Sequence, residues 1–243
     1  MAGQDNTALV RNSAQRLYGE GQPIWNADDR WNAYKRRRID QFARLYAAAP
    51  IHDAASVLDA GCGNLGYDWL AQVAVRLDRF PRQVARLPNA VTGDIETLPF
   101  KNEVFDFVVC VASVLNYVSA AEAITEMARV TRRGGGLLLH FETSSSLEYL
   151  WRSPWCRPVT RIRTINSGQE DDIWVYHPRY VSSLLRNVGY KIKKYQGFHI
   201  ASALALRFGW PQQRAAMLSV LDPMFLPMSR FSDDIILLAE RIS

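Results

Sequence analysis

At 243 residues the chain is long enough for one α/β domain with an added segment, and its core can be buried without disulfide or metal staples. With 48% hydrophobic and 22% charged residues it does not read as disordered or membrane-spanning: apolar runs such as Gly136–Leu139 are far too short for a span, and the polar stretch Met1–Asn6 lacks a signal-peptide pattern. A net charge of +5 is modest, and Cys62, Cys110 and Cys156 are scattered without metal spacing, so a reducing cytoplasm and no metal site are expected.

Residues 1–50 read as helical, because Leu17, Tyr18, Trp31, Tyr34, Phe42 and Tyr46 belong to a set recurring mostly at spacings of three, four or seven. The densest basic run, Lys35–Arg38, lies here and reads as a solvated helix face, with a phosphate contact as the alternative. Pro50 and His52-Asp53 mark a break before a first strand at Val57–Asp59. The loop that follows, Asp59-Ala60-Gly61-Cys62-Gly63-Asn64-Leu65-Gly66, has glycines at spacings of two and three, which permit a sharp turn and a close backbone approach to a ligand. Tyr67–Val73 then has helical character, so the loop's N–H groups would face a bound nucleotide.

Further strands are expected at Ala74–Asp78, Ala90–Thr92 and Phe105–Val111. The amphipathic helix Ala120–Val130 comes next, with Arg132-Arg133 and Gly134–Gly136 as its basic end and glycine stop. Leu137–Phe141 is the fifth strand. This alternation predicts a parallel sheet covered on both faces. The last third holds a helix at Pro178–Val188, an alternating strand at Tyr190–Tyr195 and an apolar strand at Asp234–Arg241, with a helical insertion over roughly 200–230. The two late strands are expected to pair antiparallel at the sheet edge.

Read literally, Gly61-x-Gly63-x-x-Gly66 with Asp78 downstream is a dinucleotide fingerprint. Against that stand about fifty preceding helical residues, a short crossover after Gly66, and Asp59 where a dehydrogenase has an apolar residue. The chain resembles instead the class I S-adenosylmethionine-dependent methyltransferases of small-molecule type. The resemblance rests on Val57–Gly63, on Asp78 ending the second strand, and on Gly93–Phe100. It extends through Phe105–Val109 with Val114–Val118, and through Glu126–Val130 with Gly134–Gly136, covering about residues 55–145 in order.

The resemblance implies a doubly wound α/β sheet of seven strands, mostly parallel with an antiparallel last strand. It also implies an N-terminal helical lid over residues 1–50, with the methyltransferase domain and its insertion over 51–243. S-adenosylmethionine is the cofactor it implies. Asp78 would bind the ribose hydroxyls and Asp94 and Ile95 the adenine, while Asp59, Gly61, Cys62, Gly63 and Val111 complete the donor cradle. Arg37 would take the donor's carboxylate, with Tyr18 and Trp25 or Trp31 closing over it. The pattern departs from the family at Leu65, where a third glycine is usual, and that glycine is delayed to Gly66.

His140 and Glu142 leave the fifth strand on one face and are candidate bases, as are His177 and, third, His199. The aromatic segment Tyr149–Trp155, the Trp174–Tyr176 pair and the insertion with Trp210, Met217 and Met224 suit an aromatic or apolar acceptor; core packing or a homodimer contact would produce the same density. The expected reaction is methyl transfer to oxygen or nitrogen of a small metabolite, with no nucleic-acid or membrane partner. An RNA methyltransferase and a non-catalytic scaffold that binds S-adenosylmethionine remain the alternatives.

Overall fold

The computed structural model describes residues 2–22, 24–25, 28–54, 56–64, 66–70, 74–166 and 168–243, with side chains from Asn6 onward. Its strands are β1 Val57–Ala60, β2 Val75–Asp78, β3 Ala90–Thr92, β4 Phe105–Cys110, β5 Thr131–Glu142, β6 Val159–Asn166, β7 Gln169–Tyr176, β8 Tyr190–Phe198 and β9 Asp234–Arg241. Seven of them form one sheet in the order β3-β2-β1-β4-β5-β9-β8. The first five are parallel, and β9 runs antiparallel to both β5 and β8. Strand alternation splits the core into two layers. Leu58, Val108 and Leu139 face one layer with Ile124 and Met127, and Val57, Phe107 and Leu138 face the other with Phe42 and Ile51.

Eight α-helices are described: α1 Ala2–Tyr18, α2 Arg30–Tyr46, α3 Ala48–Asp53, α4 Pro81–Val84, α5 Ala120–Val130, α6 Pro178–Asn187, α7 Ala201–Arg207 and α8 Gln212–Ala215. Asp29 caps α2 by accepting the Asn32 N–H at 3.1 Å, and α2 lays Tyr34, Ile39 and Phe42 on the sheet. α1 lies against β7, where Ser13 Oγ donates to Asp171 Oδ1 at 2.8 Å. No helix among the described residues is long and apolar enough to cross a membrane.

Several expectations change. Residues 67–70 form turns rather than a helix, with Trp69 Nε1 donating to Asp40 Oδ1 at 3.0 Å; residues 71–73, and Leu65 in the loop, lie outside the described residues. Pro50 sits inside α3 and marks no break. Gly134–Gly136 belong to β5, whose register shifts against β4 between Phe105 and Phe107. A Cβ on Gly136 would stand 2.3 Å from the Phe107 ring, so that glycine serves a close strand approach. The hairpin β6–β7 was not anticipated, although Val159–Ile165 is rich in β-branched residues and Gly168, at φ +83°, occupies its turn. The insertion contains α7, α8 and a 3-10 run at Ala216–Phe231, whose Met217 and Met224 are exposed.

Candidate active site

The loop after β1 is tied down by backbone bonds: the N–H groups of Gly61 and Cys62 donate to the Leu77 carbonyl at 2.7 and 3.0 Å. Gly61 and Gly63 take φ of +79° and +58°, and a Cβ on Gly61 would lie 2.5 Å from the Val114 side chain. Asp78, at the end of β2, accepts the Gly63 and Phe80 N–H groups at 2.9 Å each, so one carboxylate fixes the loop and faces the cavity above it. Gly61, Asp78, Asp94, Ile95 and Gln83 line that cavity. Asp94 accepts the Glu96 N–H at 3.0 Å and has the Arg79 guanidinium 3.7 Å away.

Asp59 is the anomaly here. It is 1% exposed, and its Oδ2 has no hydrogen-bond partner among the described residues. Burial pushes its carboxyl up to about 7; Arg76 opposes the shift and Asp78 adds to it. The Cys62 thiol donates to the Gly63 carbonyl at 3.3 Å and burial raises it far from the thiolate form, which leaves it a packing residue.

A second chamber adjoins the first. Tyr18, Ile24, Ala112 and Tyr117 line both, and so form the wall between them. The Tyr18 and Tyr117 hydroxyls lie 3.1 Å apart; Asn166 Nδ2 donates to Tyr18 at 2.9 Å, and Tyr117 donates to Asp171 Oδ2 at 2.5 Å. Burial pushes the Tyr18 hydroxyl up to about 12, so it stays protonated at neutral pH. Ala112 and Ser113 both hold positive φ, 63° and 64°, a strained pair for residues with a Cβ. Trp25, Trp31 and Tyr149 give the chamber aromatic walls, and Glu142, Glu148, Asp171 and Asp233 give it four carboxyl groups.

Behind the chamber a buried polar chain ties α2 to β5 and β9. Lys35 Nζ lies 2.6 Å from Glu142 Oε1 and 3.1 Å from Asp234 Oδ1. Burial alone would depress this ammonium, but Asp234 and Glu142 raise it. Asp234 is buried too, yet Lys35, His140 and His199 hold its carboxyl well below the usual range. His140 Nδ1 accepts the Ser113 N–H at 3.0 Å, so its proton sits on Nε2, which donates to Asp234 Oδ1 at 3.0 Å. His199 Nδ1 meets Asp234 Oδ2 at 2.7 Å, and its ring stacks on Trp31.

The family model described as a methyltransferase domain matches residues 58–139. Among solved structures, an N1-methyltransferase of 1,6-didemethyltoxoflavin from Burkholderia thailandensis, holding S-adenosylhomocysteine, has a TM-score of 0.57 at 14% identity. It covers 100% of this chain, and 92% of its own length is matched. Residues 58–139 therefore match a methyltransferase domain, on the fold of solved S-adenosylmethionine-dependent methyltransferases. A malonyl-[acyl-carrier protein] O-methyltransferase of Herminiimonas arsenicoxydans is 38% identical over 44% of this chain and 45% of its own length. A demethylmenaquinone methyltransferase of Mycolicibacterium paratuberculosis is 32% identical over 54% of this chain and 61% of its own. The chain thus spans about half the length of these relatives.

Tyr18, Gly61, Asp78, Asp94 and Ile95 line the first cavity, Asp59, Cys62 and Gly63 build its loop, and Glu142 lines the second chamber. Four expected site residues are placed elsewhere. Arg37 is exposed and stacks 5.0 Å over Tyr34, because two helical steps of about 100° each turn it off the face that carries Lys35. Val111 is buried in the core layer with Phe107 and Val109. His140 has both ring nitrogens engaged and cannot take a proton from an acceptor. His177 caps α6, its Nδ1 accepting the Arg179 N–H at 3.2 Å, and it lines neither cavity.

Of the insertion, Leu206 and Gln212 line the second chamber, whereas Trp210, Met217 and Met224 are exposed. The sequence reading missed Lys35, Ser113, Tyr117, Glu148, Asp171 and Asp233. For Lys35 a signal existed, since it stands four residues after Trp31 and four before Ile39, on the apolar stripe of α2.

Proposed function

We propose that this chain transfers the methyl group of S-adenosylmethionine to nitrogen or oxygen of a small molecule with an aromatic or apolar part. The observation that carries this reading is the shared wall: Tyr18, Ile24, Ala112 and Tyr117 border both the cavity above the glycine loop and the chamber beside it. The residues of the first cavity fit the donor. Asp78 would accept from the ribose hydroxyls, and Asp94 and Ile95 would hold the adenine. Gly61 and Gly63 leave open the space that a Cβ would take. The donor supplies a methyl group activated by its sulfonium charge. The protein contributes position and water exclusion, with Trp25, Trp31 and Tyr149 around the acceptor.

In this reading residues 1–50 act as a lid over the 51–243 domain, supported by Tyr18, Ile24, Trp25 and Trp31, which line the cavities. The malonyl and menaquinone names of the two relatives differ from each other, so they support small-molecule methylation without selecting an acceptor. An RNA acceptor is less well supported because the run Lys35–Arg38 presents no common face. Lys35 is buried, Arg36 lies 5.8 Å over Trp25, Arg37 stacks on Tyr34, and Arg38 donates to Gln41. The test is a screen of metabolite extracts for formation of S-adenosylhomocysteine, read by mass spectrometry. Product that appears with the wild type and not with Asp78→Ala supports catalysis; donor binding with no turnover on any extract favours a binding scaffold instead.

A further inference from the structure

The second chamber has more negative charge than the structure neutralises. Glu142, Glu148, Asp171 and Asp233 line it, and the one cation that lines it among the described residues, Lys35, is already held between Glu142 and Asp234. Asp171 is satisfied by Ser13 and Tyr117. Asp233 is not: it is 4% exposed, faces the chamber, and among the described residues its carboxyl makes no hydrogen bond or ion pair. A buried carboxylate without a partner costs several kcal/mol, roughly, so the group either keeps a proton or waits for a cation.

We propose that the chamber takes its acceptor as a small amine in ammonium form, held by Asp233 with Glu148 beside it, and that the amine nitrogen receives the methyl group. This rests on the donor reading above. Trp25 and Trp31 line the chamber too, each with one ring face already taken, by Arg36 and by His199. The neighbours of Asp233 are Asp234, Glu142 and Glu148, which with burial push its carboxyl up, and Lys35, which opposes them. Burial first, and then Glu142, push Glu148 up to about 7, with Arg152 and Tyr149 opposing. These carboxyls therefore retain a proton near neutral pH, and an ammonium ion replaces it. A carboxylate acceptor would instead enter against four like groups.

The chemistry balances without a further reactant. The ammonium gives one proton to a chamber carboxylate, and its freed lone pair forms the N–C bond. The S–C electron pair returns to sulfur as the neutral thioether, leaving a methylated ammonium. A divalent metal on His199, Asp233 and Asp234, whose ligand atoms lie within 4.8 Å of one another, is the rival occupant. The Lys35 ammonium 3.1 Å from Asp234 and the bond from Asp234 to His199 oppose it.

The test is calorimetric titration of the full chain, with and without S-adenosylhomocysteine, by three probes on one skeleton: tryptamine, tryptophol and indole-3-acetate. Tryptamine should bind at least about 10-fold tighter than tryptophol, indole-3-acetate should not bind, and binding should release protons, seen by comparing buffers of different ionisation heat. Asp233→Asn should weaken tryptamine by about 10-fold or more while S-adenosylhomocysteine binds as before. Should that variant fail to fold, Glu148→Gln, at a half-buried position, carries the same comparison with a smaller loss. With the donor bound, label from the methyl group should appear on tryptamine nitrogen. Equal binding of the three probes, or of none, overturns the proposal, as does stoichiometric Zn2+ binding abolished by Asp233→Asn. Discrimination among probes without S-adenosylhomocysteine binding would refute the donor reading and methylation while sustaining the cation chamber.

Discussion

Replacing Asp59 by Asn should make the protein more stable relative to wild type as pH rises, and the size of the change follows from the site. Its carboxyl moves from an ordinary value of 3.8 to about 7 because burial disfavours the anion. The folded state therefore holds this proton more tightly than the unfolded state, and ionisation costs stability as pH rises through that interval. At about 1.4 kcal/mol per unit the cost is about 1 kcal/mol near pH 4.5 and about 4 kcal/mol near pH 8. Asn is neutral at both, so the stability difference between the two proteins should shift by about 3 kcal/mol in favour of Asn. The unsatisfied amide adds a constant penalty of about 1–3 kcal/mol that does not move with pH. Urea unfolding of both proteins across that range measures the shift, and comparing the pair cancels the other carboxylates. A difference that stays flat from about pH 4.5 to about pH 8 would refute the claim that Asp59 is a buried, unpaired acid.

Gly61→Ala should lose donor binding and about 1–3 kcal/mol of stability, since φ is +79° and the new methyl meets Val114; calorimetry with S-adenosylhomocysteine and thermal melts report the two effects. Lys35→Met leaves Asp234 and Glu142 without their cation and should destabilise the fold by about 3–5 kcal/mol, measured by urea unfolding at neutral pH. Because the folded Asp234 carboxyl is depressed, its stabilisation is present above the ordinary carboxylate range and is lost on acidification through it. His177→Ala should cost about 0.5–2 kcal/mol as a lost helix cap and leave turnover unchanged, and a loss of turnover would restore this histidine as a base.

The sheet was legible because its signals are local. Strands at 90–92 and 234–241 and the helix at 120–130 are found where apolar periodicity and flanking breaks put them. The donor loop was legible because φ-positive glycines and strand-end acids mark it within about twenty residues of sequence. The chamber was not legible, since its contacts join distant residues. His140 meets Asp234 across 94 positions, Lys35 meets Glu142 across 107, and Tyr117 meets Asp171 across 54. A strand-end histidine looks the same in sequence whether it faces substrate or a buried aspartate. Consecutive cations on α2 also look alike, although helical rotation buries Lys35 and exposes Arg37.

The central claim is that the cavity above the glycine loop holds a methyl donor through Asp78. Calorimetric titration of the wild type and Asp78→Ala with S-adenosylhomocysteine, and with NADH in parallel, tests it most directly. The account predicts saturable S-adenosylhomocysteine binding weakened by about 100-fold or more in the variant, as expected for a charged group that accepts two hydrogen bonds, and no binding of NADH. Binding of NADH in place of S-adenosylhomocysteine, or S-adenosylhomocysteine binding indifferent to Asp78→Ala, would contradict it.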